Sequence, residues 1–98
     1  MKIARNGAIS MYLHNVMEDK VTDLTANLME EEKNFCSCNR CQLDVIALTL
    51  NRIKPKYVVT NKGELYSRAQ MMTSQFDADI VKEITKSIDI VRENPRHE

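Results

Sequence analysis

Glycine and proline are scarce, two of each in 98 residues. That is too few for the tight turns of a many-stranded sandwich or barrel, and it leaves long helices with few joints. Charge of one sign is not in excess either. The 14 Lys+Arg face 14 Asp+Glu, a balance that argues against a simple binder of long polyanions and against direct DNA binding. No apolar run approaches the ~18–20 residues that span a bilayer. The first 15 residues carry Lys2 and Arg5 but no long apolar stretch and no small-residue cleavage site. A cytoplasmic protein without a membrane partner is the expectation. One domain, residues 1–98, follows from the length, because two would leave neither half enough interior to offset its conformational entropy. A chain this short buries only roughly 60–65% of the surface it exposes when unfolded, so a metal or a second copy is expected to supplement a thin core.

What is present is helical periodicity. Ile9, Tyr12, Leu13, Val16, Met17, Val21, Leu24 and Leu28 recur at spacings of three and four, predicting a first helix over residues 8–33. Residues 35–39 break the pattern. Asn39 and Gln42 resemble a capping pair opening a second helix with Leu43, Ile46, Ala47, Leu50 and Ile53 on one face, widened by Val45 and Leu48, and stopped by Pro55. Tyr57, Val58, Val59 and Thr60 are β-prone and end at the turn residues Asn61-Lys62-Gly63. So short a run is either an extended connector or a strand pairing with a second copy. A third helix over residues 64–72 and a fourth capped by Ser74 and Asp77, carrying Phe76, Ile80, Val81, Ile84, Ile88 and Val91, complete the reading. Asn94-Pro95 ends the fourth helix, and Arg96-His97-Glu98 reads as a frayed tail. The predicted fold is all-α: a small four-helix domain with a Cys-rich zinc loop between helices 1 and 2 and a short extended segment after helix 2, forming a homodimer.

All three cysteines, Cys36, Cys38 and Cys41, lie within six positions as C-x-C-x2-C. An odd, clustered set is a poor disulfide framework and a good partial metal site. The C-x2-C half spans a loop-to-helix junction, where free amides and the helix dipole stabilise thiolates, so the three cysteines are the candidate zinc ligands. A closed structural site takes four ligands. His14 lies ~20 residues back, about 30 Å along a helix, and His97 reaches only if the tail folds back. Asp44, one turn after Cys41, is an oxygen-ligand or supporting candidate; water or a partner chain are further options. Without metal, the same cysteines read as reduced thiols or a redox sensor. A thioredoxin-like role lacks its strand-led setting, and nucleophilic catalysis lacks a nearby histidine.

The order Cys36-x-Cys38-x2-Cys41-x2-Asp44-Val45, then Ala47-Leu48-x-Leu50-Asn51 and Pro55-x-Tyr57-Val58, resembles the late competence protein ComFB family. The likeness is dense over residues 36–59 and thinner through Lys62-Gly63 and residues 66–68. This resemblance implies a mostly helical bacterial homodimer with zinc on its cysteine cluster and no enzymatic activity. Some members of the family are receptors for cyclic dinucleotides, whereas others belong to competence operons without a defined activity.

The segment after the central helix supplies the chemistry such a ligand needs. Arg52, Lys54, Lys56, Lys62 and Arg68 are five cations against one acid, Glu64, a local net of +4. Tyr57 and Tyr66 lie among them, offering stacking surfaces beside phosphate and guanine-edge contacts. The seven residues are the candidate ligand site, with Arg68 and Arg52 foremost. The competing reading is a solvated basic face neutralised by residues 18–33, whose six acids and two lysines sum to −4. The functional expectation is a non-enzymatic cyclic dinucleotide sensor or adaptor, for cyclic di-GMP above others, relaying occupancy to an unknown downstream protein. The alternative is a structural or interaction subunit of competence or surface machinery that binds zinc but no nucleotide.

Overall fold

A computed structural model describes residues 2–5, 9–31, 35, 36 and 38–96. Its order is β1 (Lys2–Arg5), β2 (Ile9–Tyr12), β3 (His14–Asn15), α1 (Val16–Glu31), α2 (Asn39–Leu50), β4 (Tyr57–Val58), α3 (Asn61–Gln70) and α4 (Ser74–Glu93). The domain is mostly helical, with four helices as expected, but it is not all-α: two short antiparallel ladders precede and flank α1. β1 pairs with β2, setting Lys2 opposite Tyr12 and Arg5 opposite Ile9. β3 pairs with β4, setting His14 opposite Val58 and Asn15 opposite Tyr57.

The largest departure from the sequence reading is the start of the first helix. Ile9, Met11 and Leu13 alternate as a strand requires, while Ile9 and Leu13 also satisfy the four-residue helical spacing. Nonlocal hydrogen bonds decide between the two patterns. The Tyr12 N–H donates to the Val59 carbonyl at 3.1 Å, and the Val16 N–H donates to the Lys56 carbonyl at 2.8 Å. Asn15 then opens α1 by accepting the Met17 N–H at 3.1 Å, with Glu18 three residues on as in a capping box. The proposed start at Ala8 and end at Lys33 lie outside the described residues, as does the His97-Glu98 part of the tail. The extended segment at Tyr57 pairs with β3 of its own chain.

Other boundaries shift by a few residues. α2 is capped by Cys38 and not Asn39. It ends at Leu50, with the Asn51 N–H closing on the Ala47 carbonyl at 3.0 Å, several residues before Pro55. Thr60 Oγ1 accepts the Gly63 N–H at 3.0 Å, so Asn61-Lys62-Gly63 forms the first turn of α3. Thr73, not Ser74, caps α4 through the Phe76 N–H.

The core lies among α1, α2 and α4. Val16 and Val21 from α1, Val45 from α2 and Ile84 from α4 are fully enclosed. Around them pack Met17, Met29, Cys41, Ile80, Ile88 and Val91, which repeat at helical spacing along their elements. One polar contact crosses this interior: the Thr49 hydroxyl donates to Ser87 Oγ at 2.8 Å, and Ser87 donates to the Glu83 carbonyl at 3.1 Å. Both residues have no exposed surface. None of the helices is long and apolar enough among the described residues to cross a membrane.

Candidate functional site

The α1–α2 joint gathers the three cysteines. Phe35, buried in the core, anchors the segment just before them. Cys36 is exposed, Cys38 half-buried and Cys41 buried, so the cluster runs from solvent into the first turn of α2. Their Sγ atoms all lie within 4.8 Å of one another. Two sulfurs each ~2.3 Å from a tetrahedral zinc stand about 3.8 Å apart, so small side-chain rotations would close the set onto one ion.

The three thiols meet different surroundings at this helix start. Cys38 is the N-cap of α2, and its sulfur accepts the Cys41 N–H at 3.4 Å; the positive end of the helix dipole therefore faces it. Cys41 is the opposite case in the absence of metal: burial first, then hydrogen bonding to Cys38 and Cys36, pushes its thiol up to about 12. A thiophilic cation would supply the charge that burial denies it. Asp44, an oxygen-ligand candidate by spacing, has another occupation, since Arg40 Nε lies 3.2 Å from each of its carboxylate oxygens. His14 is half-buried at the opposite end of α1, a helix of 16 residues and so about 24 Å long. His97 lies outside the described residues.

The seven ligand candidates separate into two groups. The arginines are engaged internally. Arg68 Nη2 donates to Asp19 at 2.6 Å, and Arg68 Nε donates to Glu64 at 3.0 Å, pinning α3 to α1. The network continues to Tyr12, whose hydroxyl donates to Glu64 at 2.8 Å, and to His14, whose Nε2 lies 2.8 Å from Asp19. Burial acts to raise the Asp19 carboxyl, but its hydrogen bonds to His14 and Arg68 outweigh that and hold it below its ordinary value. Glu64 is likewise held down by the Tyr12 hydroxyl and Arg68. Arg52 Nε lies 3.9 Å from Glu83. For Arg68, then, the acidic helix does neutralise part of the basic segment.

The remaining five point outward. Lys54, Lys56 and Lys62 are exposed, and among the described residues no ion pair is formed by any of them. Tyr57 and Tyr66 are 59% and 67% exposed, leaving ring faces open for stacking. Lys54 and Lys56 flank Pro55 at the mouth of one cavity. Charge along the chain identified the cations but not their partners, because Asp19 is 49 residues from Arg68 and carries no local signal of the pairing.

Comparison with known proteins matches this architecture. Residues 14–95 fit the model of the family described as late competence development protein ComFB. The chain is 31% identical over 83 residues to competence protein ComFB of Bacillus subtilis strain 168, covering 85% of each sequence. It is also similar to the solved structure of the late competence protein ComFB from Bacillus subtilis, with a TM-score of 0.76 and 31% identity over 86% of this chain and 92% of that one.

Proposed function

The chain belongs to the ComFB family, and we propose that it is a non-enzymatic, zinc-bearing homodimer in late competence that senses a cyclic dinucleotide, cyclic di-GMP above others, and relays occupancy to a protein partner. The observation carrying the ligand part is the outward group on β4, α3 and the α2–β4 link: lysines without ion-pair partners among the described residues, interleaved with two exposed tyrosines. Such a surface suits a compact, doubly negative ligand with aromatic bases. The zinc part is supported by the three converging thiols; Cys36, Cys38 and Cys41 would hold the ion, which would cross-brace the α1–α2 joint.

A homodimer is supported by apolar groups left outside. Leu65 and Met72 are 72% and 79% exposed, and Val59 is also exposed; Leu65 shares α3 with Lys62 and Arg68, and the other two lie just beyond the ends of α3 and β4. A twofold arrangement would cover them and set two basic segments against a twofold ligand. Ligand would then act by favouring one arrangement of the two copies.

A second reading, a zinc-bearing interaction subunit without nucleotide, is favoured by one observation: Arg68 and Arg52, the strongest candidates by chemistry, are held by Asp19, Glu64 and Glu83. Titration calorimetry of purified protein with cyclic di-GMP and cyclic di-AMP separates the two. Heat of binding from either ligand supports the sensor. Silence from both at tens of micromolar removes it and leaves the interaction subunit. Elemental analysis together with chelation tests the metal: protein that is metal-free as purified and indifferent to chelator removes the structural zinc.

A further inference from the structure

The three thiols are not equivalent in the backbone that carries them. Cys38 and Cys41 belong to one helical turn: the Cys38 carbonyl accepts the Gln42 N–H at 3.0 Å, and the Cys38 sulfur accepts the Cys41 N–H at 3.4 Å. Cys36 stands before that turn and is exposed. Helical geometry sets residues three apart about 5 Å from Cα to Cα, inside the roughly 4.4–6.8 Å over which disulfides close. A bridge from Cys36 to Cys38 would instead have to close over a single intervening residue. Access divides the turn as well. Cys38 is half-buried and Cys41 is buried, so a reagent in solution meets the first, and the second is reached from within the protein.

Resting on the zinc reading above, we propose that Cys38 and Cys41 are also a redox pair, which closes to a disulfide under a low-molecular-weight disulfide and gives up the metal. The Cys38 sulfur attacks one sulfur of the reagent, forming a mixed disulfide and releasing one reagent thiol. The Cys41 sulfur then attacks the Cys38 sulfur, forming the protein disulfide and releasing the second. Two protein thiols are oxidised and one reagent disulfide is reduced, and the two protein protons leave with the two released thiols. From the metal-held form the attacking groups are thiolates, and the released thiolates take their protons from water. The bridge withdraws two of the three converging sulfurs and leaves one, too few for a structural tetrahedral site. Phe35 before the cluster and Val45 after it are buried and take no part in the exchange, so metal is traded for bridge without unpacking the core. Zinc occupancy at the α1–α2 joint thereby follows the thiol–disulfide balance around the protein.

Arg40 separates the two cysteines and makes the bridge readable. Trypsin cuts after Lys33, Arg40 and Arg52, placing Cys36 and Cys38 in residues 34–40 and Cys41 in residues 41–52. Zinc-loaded protein treated with oxidised glutathione is expected to release its zinc to a chromophoric chelator. After alkylation and digestion it should show a single alkylated thiol, on Cys36, and the two peptides joined by a disulfide. Cys36→Ser should still yield the joined peptides. Cys38→Ser should lose them, while serine keeps the cap of α2 and circular dichroism confirms that both variants fold. Joined peptides from Cys38→Ser at the parent's yield would assign the bridge to Cys36 and overturn the pair. Zinc retained under the reagent, zinc released with Cys38 and Cys41 both still open to alkylation, or bridges between chains in place of the internal one would also overturn it, and each of these spares the zinc site. Protein that neither carries zinc nor takes it up overturns the zinc reading and the exchange together.

Discussion

The Thr49–Ser87 hydrogen bond fastens the helix bearing Cys41 to α4, and its geometry predicts an unequal response to two conservative substitutions. The Ser87 proton goes to the Glu83 carbonyl at 3.1 Å, so Ser87 is the acceptor and Thr49 the donor of the 2.8 Å contact. Thr49→Val keeps the side-chain shape and leaves Ser87 donating as before; its expected cost is one net hydrogen bond, about 0.5–1.5 kcal/mol. Ser87→Ala strands the Thr49 hydroxyl at a site with no exposed surface, a desolvation cost of roughly 1–3 kcal/mol. The lower end applies if Thr49 turns back onto the carbonyl four residues earlier. In Thr49→Val/Ser87→Ala no donor is stranded, so the double variant should be more stable than Ser87→Ala alone, with a coupling near 1 kcal/mol. Urea unfolding followed by circular dichroism reads these differences from midpoints at constant slope. Single costs that simply add, or a Thr49→Val cost equal to that of Ser87→Ala, would refute the donor assignment.

Thr25 Oγ1 is buried and has no hydrogen-bond partner among the described residues, so Thr25→Val is expected to raise stability by about 1 kcal/mol; a lower unfolding midpoint would contradict this. Acid should loosen the latch around Arg68. Asp19 and Glu64 have lowered folded-state values, so their contribution is present above the ordinary carboxylate range, about pH 4, and is lost as pH falls through the folded values. Asp19→Asn should shallow the fall in stability below pH 4, and an unchanged acid limb would count against the network. Cys36 is exposed, so Cys36→Ser should leave the metal-free fold within about 0.5 kcal/mol of the parent while weakening zinc binding more than about tenfold. Competition with a chromophoric chelator measures the latter, and unchanged affinity would remove Cys36 from the ligand set.

Features written within one turn or one loop were the legible ones. The cysteine cluster needs only six consecutive residues and a helix start, and the fold brings its three sulfurs together. α4 follows from apolar spacing, because its buried Ile80, Ile84, Ile88 and Val91 lie four or fewer positions apart; on α2 the apolar spacing marked the helix but not its inner face, since Leu43 is 62% exposed and Ala47 is exposed while Cys41, Val45 and Thr49 are buried. β2 and β3 were hidden inside a helical pattern. Ile9 and Leu13 fit both periods, and the choice is made by carbonyls of Lys56 and Val59 more than forty residues away. The Asn15 and Glu18 pair was the one local sign that α1 starts later.

The same boundary between local and distant information explains the site residues. Positive charge is visible in a sequence, whereas whether that charge is already neutralised depends on folding, and the two chemistries divided here in a physically sensible way. Arg68, with its fixed fork of donors, bridges Asp19 and Glu64 and suits the bracing of two helices. Lys54 and Lys56 follow Ile53 into a link constrained by Pro55, where the backbone of Lys56 is engaged in both directions: its N–H donates to Asn15 at 2.8 Å, and its carbonyl accepts from Val16 at 2.8 Å. The link is thereby fixed while its side chains remain outside. A rigid backbone carrying ammonium groups at the rim of an apolar cavity presents charge to a ligand with little ordering cost in the main chain. For that reason the weight of the ligand hypothesis moves from the arginines, which the fold uses, to the lysines that it leaves outside.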